Sequence, residues 1–491
     1  MMQEMNYNET NGIVIGPECS RIFAEVIMQH VDHMVEQQLL EKGYRHKVDY
    51  ECYRYVDDYF FFYNDDAVKK EVEYLLQFYL KEFKLSLNQE KCEIIDRPFI
   101  TNITKAKIEL DELLNDNIKL YSEDVESSVY SEDELEQTEL DLSEDKDEWT
   151  IEVDRNTAVE NIDKKVFFKL NSTDFNKRFK AIVSTSNVEL ISVLNYTMAR
   201  FASRLERSLK KFDKHYKVLC LIAEDPQLVD LHALANKERK RCEKSLSRYL
   251  FNVLDTVFFL YANSKRVNTT LKVIQILNTI RIYLDNDYCI EDGNNKKVVR
   301  RFSEYAREIV FKKIRDEISV VMQVAPVNEN IQLETLYFLI VLRSMNRKYH
   351  LTRLEVEKYL KIERGTDGSI KPLRQLNMLA VTILIYYFGN SKRYEELKTL
   401  LIEQTRQYIE SIYEPRRKIS AEFVIFALDL AACPYIQDSI KKKFLQQVGV
   451  SRRISEEIIC YMKRQKFMFT KWAGIDITKE LNAKISQEVY S

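Results

Sequence analysis

The sequence predicts an α+β chain that is predominantly helical: a short strand-bearing segment comes first and a large all-α, bundle or solenoid-like domain follows. Three observations carry that expectation. Glycine (9) and proline (7) are scarce in 491 residues, which excludes turn-rich, all-β architectures. From about residue 160 onward, apolar residues recur at helical spacing. Earlier, two aromatic and β-branched runs flank Val56-Asp57-Asp58, which reads as a hairpin.

The run leading in is Val48 to Tyr55, and the run leading out is Tyr59 to Tyr63. Both are short enough for strands, and the Asp57-Asp58 pair itself is the expected turn. Adjacent carboxylates repel and favour each other's protonation unless a cation sits beside them. Oxygen ligands select Mg²⁺ or Mn²⁺, and hard metals held at a solvent-facing tip suit phosphoryl transfer. An ordinary solvated turn also accommodates the pair. A second pair, Asp65-Asp66, precedes a helical pattern and reads as an N-cap with first-turn acid, without a catalytic role.

Upstream, Gly12 and Gly16 allow a backbone path close to a ligand, and Pro17 suits the first turn of a helix. Ile22, Val26, Ile27 and Val31 are the expected buried face of that helix. Downstream, Ala67 to Phe83 reads as an amphipathic helix. Leu85 to Ile95 reads as an alternating strand with a polar break, in which Lys91 is either a solvated lysine or a cation beside phosphate chemistry.

These pieces occur in a telling order. Gly-x-x-x-Gly-Pro-x-x-Ser over Gly12 to Ser20, then Tyr-x-Asp-Asp over Tyr55 to Asp58, then Leu-Asn-x-x-Lys over Leu87 to Lys91 resemble motifs B, C and D of reverse transcriptases. The wording Ser-Arg-x-x-Ala-Glu over Ser20 to Glu25 looks most like the bacterial abortive-infection and antiphage-defence members. The resemblance covers residues 12–100 and implies the downstream part of a polymerase palm. It implies that Asp57 and Asp58 ligate catalytic Mg²⁺ or Mn²⁺. It places Gly12, Gly16 and Ser20 along template and incoming dNTP, Tyr55 near the primer end and Lys91 near the leaving pyrophosphate. Val14-Ile15 stand where many reverse transcriptases carry Pro-Gln, a departure that touches nucleotide selection. Motif A, with its carboxylate, belongs upstream of motif B. The expectation is therefore a fingers and motif A segment supplied separately, in cis or by a second chain.

Charge is unevenly spread. Residues 1–110 carry 13 basic and 20 acidic side chains and 111–154 carry 2 and 18, which leaves 59 and 39 from 155 onward. The acidic stretch reads as an exposed linker or insertion. The basic excess behind it, with clusters such as Lys237 to Arg241, Lys296 to Arg301 and Lys441 to Lys443, favours a surface that tracks DNA or RNA phosphates. The 8 cysteines are scattered without a C-x-x-C pair. No apolar run is long enough to span a membrane, and residues 1–10 lack the apolar core of a signal peptide. A reduced, cytoplasmic protein is expected.

One further pattern stands in the helical part. Arg343 and His350 fall within the Arg-x(4–6)-His spacing of helical HEPN ribonucleases, with His as acid–base and Arg on phosphate. Cations at a helix C-terminus explain the same residues.

The expected domains are a palm segment over 1–110, an acidic linker over 111–158 and an all-helical domain over 159–491. The expected function is RNA-directed DNA synthesis from dNTPs by two-metal nucleotidyl transfer. The resemblance implies protein-primed, untemplated synthesis as one form of it. A non-catalytic nucleic-acid-binding or assembly subunit and a HEPN-like nuclease are the alternatives, and a homo-oligomer stays open.

Overall fold

A computed structural model describes residues 3, 12–14, 16–88, 91–92, 94, 100–122, 155–292, 295–327, 333–364 and 376–487. The chain divides into two units, Met1–Phe99 and Ile100–Ser491.

In the first unit, α1 (Glu18–Glu41) leads into the strands β1 (Tyr50–Tyr55) and β2 (Asp58–Tyr63), and α2 (Asp66–Glu82) follows. The strands pair antiparallel, with Tyr50 opposite Tyr63 and Tyr55 opposite Asp58. Val31, Val35 and Leu39 of α1 and Val72, Leu75, Leu76 and Tyr79 of α2 form a core with Tyr50. Ile22 and Val26, expected inside, are about half exposed or more. The buried apolar stripe of α1 starts at Val31, about two and a half turns later than the sequence suggests, because only the later turns of α1 meet the core formed with α2 and the hairpin. Asp65 caps α2, accepting from the Ala67 N–H at 2.9 Å, with Asp66 in the first turn. Beyond α2, the expected strand is not formed over Leu85–Asn88. Lys84 takes φ +57 and the Leu85 N–H returns to Leu80 O at 2.9 Å, so the chain spends its bonds closing the helix. Residues 89, 90, 93 and 95 of that expected strand lie outside the described residues.

The second unit begins at 100 rather than 111. Its elements α3 (Asn102–Asn117) and β3 (Leu120–Ser122) take up the start of the expected acidic linker, and α4 (Arg155–Asp163) takes up its end. Ala106, Leu110, Leu113 and Leu114 are buried in the helical core, which ties α3 to this unit. Residues 123–154 lie outside the described residues. Then come β4 (Val166–Phe168), α5 (Ser172–Thr185), α6 (Leu190–Ile222), α7 (His232–Ala262), α8 (Val267–Asp285), β5 (Tyr288–Asp292), β6 (Asn295–Val299) and α9 (Glu304–Val324). The two short ribbons, β3 with β4 and β5 with β6, qualify the all-helical expectation. The remainder is α10 (Phe338–Ser344), α11 (Arg353–Tyr359), α12 (Met378–Phe388), α13 (Glu395–Ser411), α14 (Glu414–Ile419), α15 (Ala421–Ala432), α16 (Asp438–Gln447), α17 (Arg452–Gln465) and α18 (Ile477–Gln487). Helix α6 is central: α3, α7 and α8 all pack on it. Its buried residues Val193, Thr197, Phe201, Leu205, Phe212, Tyr216 and Leu219 recur at three- and four-residue intervals or their sums. No helix of the described residues is long and apolar enough to cross a membrane.

Several basic residues expected on the surface are internal. Arg301 is 7% exposed; it donates to Tyr283 O at 3.1 Å, pairs with Asp213 and lies 3.9 Å over the Tyr283 ring. Lys441 is buried beside Asp438, and Arg239, only half-buried, reaches the Arg300 carbonyl. Their burial with partners follows from the cost of isolating a charge. The basic clusters are thus partly structural.

His215 of α6 is 8% exposed, and neither ring nitrogen has a partner among the described residues. Burial, reinforced by Lys164 and Arg241, pushes its pKa down to about 4. The unfolded histidine titrates near ~6.5. The folding contribution is therefore intact above about 6.5 and is lost as pH falls toward 4, to a total of about 3 kcal/mol. Denaturant unfolding of the helical unit should show this loss between pH 7 and 4, and His215→Leu should flatten it. An unchanged pH slope in the variant would count against the assignment.

Candidate functional site

The hairpin tip is built from the strands inward. Val56 and Asp57 form a two-residue turn, and Asp58 is already the first residue of β2. The turn is therefore Val56-Asp57 and not the Asp pair. Val56 has φ +57, a region that tight hairpin turns need and that β-branched residues avoid. Such a conformation costs on the order of 1–3 kcal/mol and persists only when its surroundings impose it. Asp57 and Asp58 are both exposed.

What imposes it is Arg54. Strand alternation turns Tyr50, Cys52 and Arg54 inward and leaves Tyr53, Tyr55 and Phe60 each about half exposed on the other face. The Arg54 side chain is 9% exposed. Its Nη1 donates to Val56 O at 3.0 Å and to Glu25 at 2.9 Å, its Nη2 to Glu25 at 2.7 Å, and its Nε to Asp32 at 2.7 Å. The Tyr59 hydroxyl donates to the other Asp32 oxygen at 2.6 Å. One guanidinium thus joins α1, β1 and the carbonyl of the strained residue. Its hydrogen bond holds the Glu25 carboxyl below the usual carboxylate range, and Glu25 followed by Asp32 holds the guanidinium charged. Burial and then the Asp32 bond push the Tyr59 hydroxyl well up, and burial pushes the Cys52 thiol to about 11. A cavity of about 120 Å³ lies on this inner face, lined by Asp32, Cys52, Arg54 and Tyr59 among others.

Gly12 (φ +80) and Gly16 (φ +116) both occupy the left-handed half of conformational space, with nothing within 4 Å of an added Cβ. Backbone conformation, not close packing, calls for glycine there. Ser20 is buried in the first turn of α1, and its hydroxyl has no partner among the described residues. Tyr55 lies opposite Asp58 on the exposed face of the hairpin. Lys91 is exposed, in a single turn where its N–H bonds Asn88 O at 3.2 Å.

The donor chemistry of Asp57 and Asp58 fits a hard divalent ion, but their number makes half a site. Among the described residues no group of three or more His, Cys, Asp or Glu side chains could hold a metal. Further oxygen ligands would have to join them.

Sequence reasoning missed Arg54, Glu25, Asp32 and Tyr59. The available signal was Arg54 at an inward position of β1, in step with Tyr50 and Cys52. The second signal was two acids seven residues apart on α1, two turns of one helix face.

His350 belongs to the core of the helical unit, and Arg343, half-buried, stands near it. His350 is 6% exposed, with Nε2 3.3 Å from Met345 O and its ring 5.5 Å from Tyr387. Burial, with Arg343, Arg393 and Arg347 nearby, lowers its pKa. The Arg343 guanidinium lies near the rings of Tyr386 and Tyr435 and fills the space beside Gly389. The His350 ring is packed as a core residue, and the half-buried Arg343 guanidinium lies near aromatic rings. No protein-family model, curated protein or solved structure matches the chain.

Proposed function

We propose that residues 12–100 are the downstream part of a reverse-transcriptase palm of the antiphage-defence type, acting in DNA synthesis from dNTPs. The observation that carries this reading is the hairpin tip. It presents Asp57 in a strained two-residue turn and Asp58 beside it, with Arg54 bracing the turn from within. Strain held in place by a dedicated side chain is a mark of functional sites. Asp57 and Asp58 would hold one side of a divalent-metal site, and bound metal would stabilise charge on the attacking and leaving oxygens. A third carboxylate from a motif A strand, in cis or from a second chain, would complete the ligand set. Tyr55, exposed beside Asp58, would meet the primer end, and Lys91 the departing pyrophosphate. The basic excess of the helical unit supports DNA or RNA as partner.

Mn²⁺ titration followed by electron paramagnetic resonance tests the half-site. The chain should bind Mn²⁺ weakly, and Asp57→Asn or Asp58→Asn should weaken it about tenfold, as expected when a metal loses a charged oxygen ligand. Identical titrations for wild type and both variants would remove the catalytic assignment and leave the non-catalytic nucleic-acid-binding reading.

A further inference from the structure

The helical unit holds a second site that the polymerase reading does not use. Helices α6 (33 residues) and α8 (19 residues) start side by side, and their N-termini open on one cleft of about 260 Å³. Neither N-terminus has a capping side chain. Apart from the Ser192 N–H, which bonds Glu189 O at 3.0 Å, the first-turn N–H groups lack the partner a cap would provide, and both dipoles turn their positive ends to the cleft.

Two largely buried hydroxyl-bearing residues line the same cleft. Ser264 is 8% exposed and Thr269 2% exposed. Neither side chain makes a hydrogen bond among the described residues. Both hydroxyl oxygens stay accessible rather than sealed in the interior, so each can donate to a ligand in the cleft. Arg266, in the loop that enters α8, also lines the cleft, and its guanidinium has no ion pair there. Asn195 and Asn268 add amides at the mouth, and no carboxylate is part of the lining. Every charge and every unsatisfied donor therefore suits an anion with several oxygens.

We propose that the cleft between the N-termini of α6 and α8 binds the phosphate group of a phosphate-bearing ligand. Helix N–H groups and the Ser264 and Thr269 hydroxyls donate to the phosphate oxygens, and Arg266 supplies the counter-charge. The ligand is a free nucleotide or a nucleic-acid strand, which share this group. The cleft's volume admits little beyond the phosphate and the sugar attached to it.

The test uses the full chain and four probes: inorganic phosphate, a deoxynucleoside triphosphate, and one oligonucleotide with a 5′-phosphate or a 5′-hydroxyl. Binding is read by thermal shift and by titration calorimetry. Arg266→Ala alters an exposed residue, and Thr269→Val replaces an unpaired hydroxyl by a methyl group of the same size, so both variants should fold. Thr269→Val should melt at or slightly above wild type without ligand. Each variant should weaken phosphate-bearing probes about tenfold or more. Preference for the triphosphate identifies a nucleotide. Preference for the 5′-phosphorylated strand identifies a strand end, and equal binding of both strands identifies backbone phosphate. Absence of binding by all four probes, or equal affinity in wild type and both variants, overturns the proposal.

Discussion

Asp57→Asn is expected to abolish DNA synthesis, by about 10³-fold or more, in any assembly in which the wild-type chain supports it. The magnitude follows from the role. A metal clamp stabilises transition-state charge by several kcal/mol, and each ~1.4 kcal/mol is a factor of ten. An amide keeps the shape of the carboxylate but not its charge. The fold should be indifferent: Asp57 is exposed in the turn, and asparagine is as acceptable there as aspartate. Stability should move by less than about 0.5 kcal/mol. Labelled dNTP incorporation with Mg²⁺ and with Mn²⁺, alongside a melting curve, separates the two effects. Wild-type incorporation by a well-folded Asp57→Asn protein would falsify the assignment. Val56→Gly should raise stability, because glycine takes φ +57 without strain. A gain of about 1 kcal/mol with reduced synthesis would show that the strained turn serves the site.

The elements that depend on local pattern were legible in the sequence, and those that depend on tertiary partners were not. The aromatic alternation of Tyr50 to Tyr63 specifies the hairpin, and Asp65 ahead of an apolar stripe specifies the cap of α2. The turn position was misplaced by one residue. Turn preferences favour Asp-Asp, whereas the pairing of Tyr55 with Asp58 forces Val56 into the turn against its own preference. Ile22 and Val26 of α1 are exposed despite their amphipathic spacing, since that spacing cannot say how far a partner extends. The basic runs were read as surface because charge is usually solvated. Arg301 and Lys441 are internal because Asp213 and Asp438, distant and near in sequence respectively, neutralise them. In the candidate site, the two aspartates could be named from sequence. Their brace could not, since Arg54, Glu25 and Asp32 meet only once α1 has folded against the hairpin.

Arg54→Met is expected to destabilise the first unit by about 2–3 kcal/mol and to cost metal binding without touching either aspartate. Methionine fills much of the same volume, so packing is largely kept. What is lost is a cation serving three acceptors. A fully buried pair broken on one side costs about 3–5 kcal/mol. The Glu25 and Asp32 side chains are 39% and 33% exposed, so solvent recovers part of that and the smaller figure applies. Asp32 keeps its bond from Tyr59, whereas Glu25 loses its hydrogen-bonded cation and keeps only the weaker influence of Arg21. Arg54→Lys should fall between wild type and Arg54→Met, since a single ammonium cannot bridge Glu25, Asp32 and Val56 O in the planar fork geometry. The acid limb offers an independent check. Arg54 lowers the pKa of Glu25, so the clamp is at full strength above the ordinary Glu pKa of about 4.3 and weakens as pH falls through the lowered value. Arg54→Met should lose that limb of the pH profile. The triple variant Glu25→Gln, Asp32→Asn, Arg54→Met removes the stranded carboxylates and should regain part of the stability. Mn²⁺ affinity should stay low in it, because Val56 O still lacks its donor and the turn is free to relax. Stability and metal affinity recovering together would mean that Arg54 only holds the unit folded. Stability recovering alone would establish Arg54 as the residue that positions Asp57.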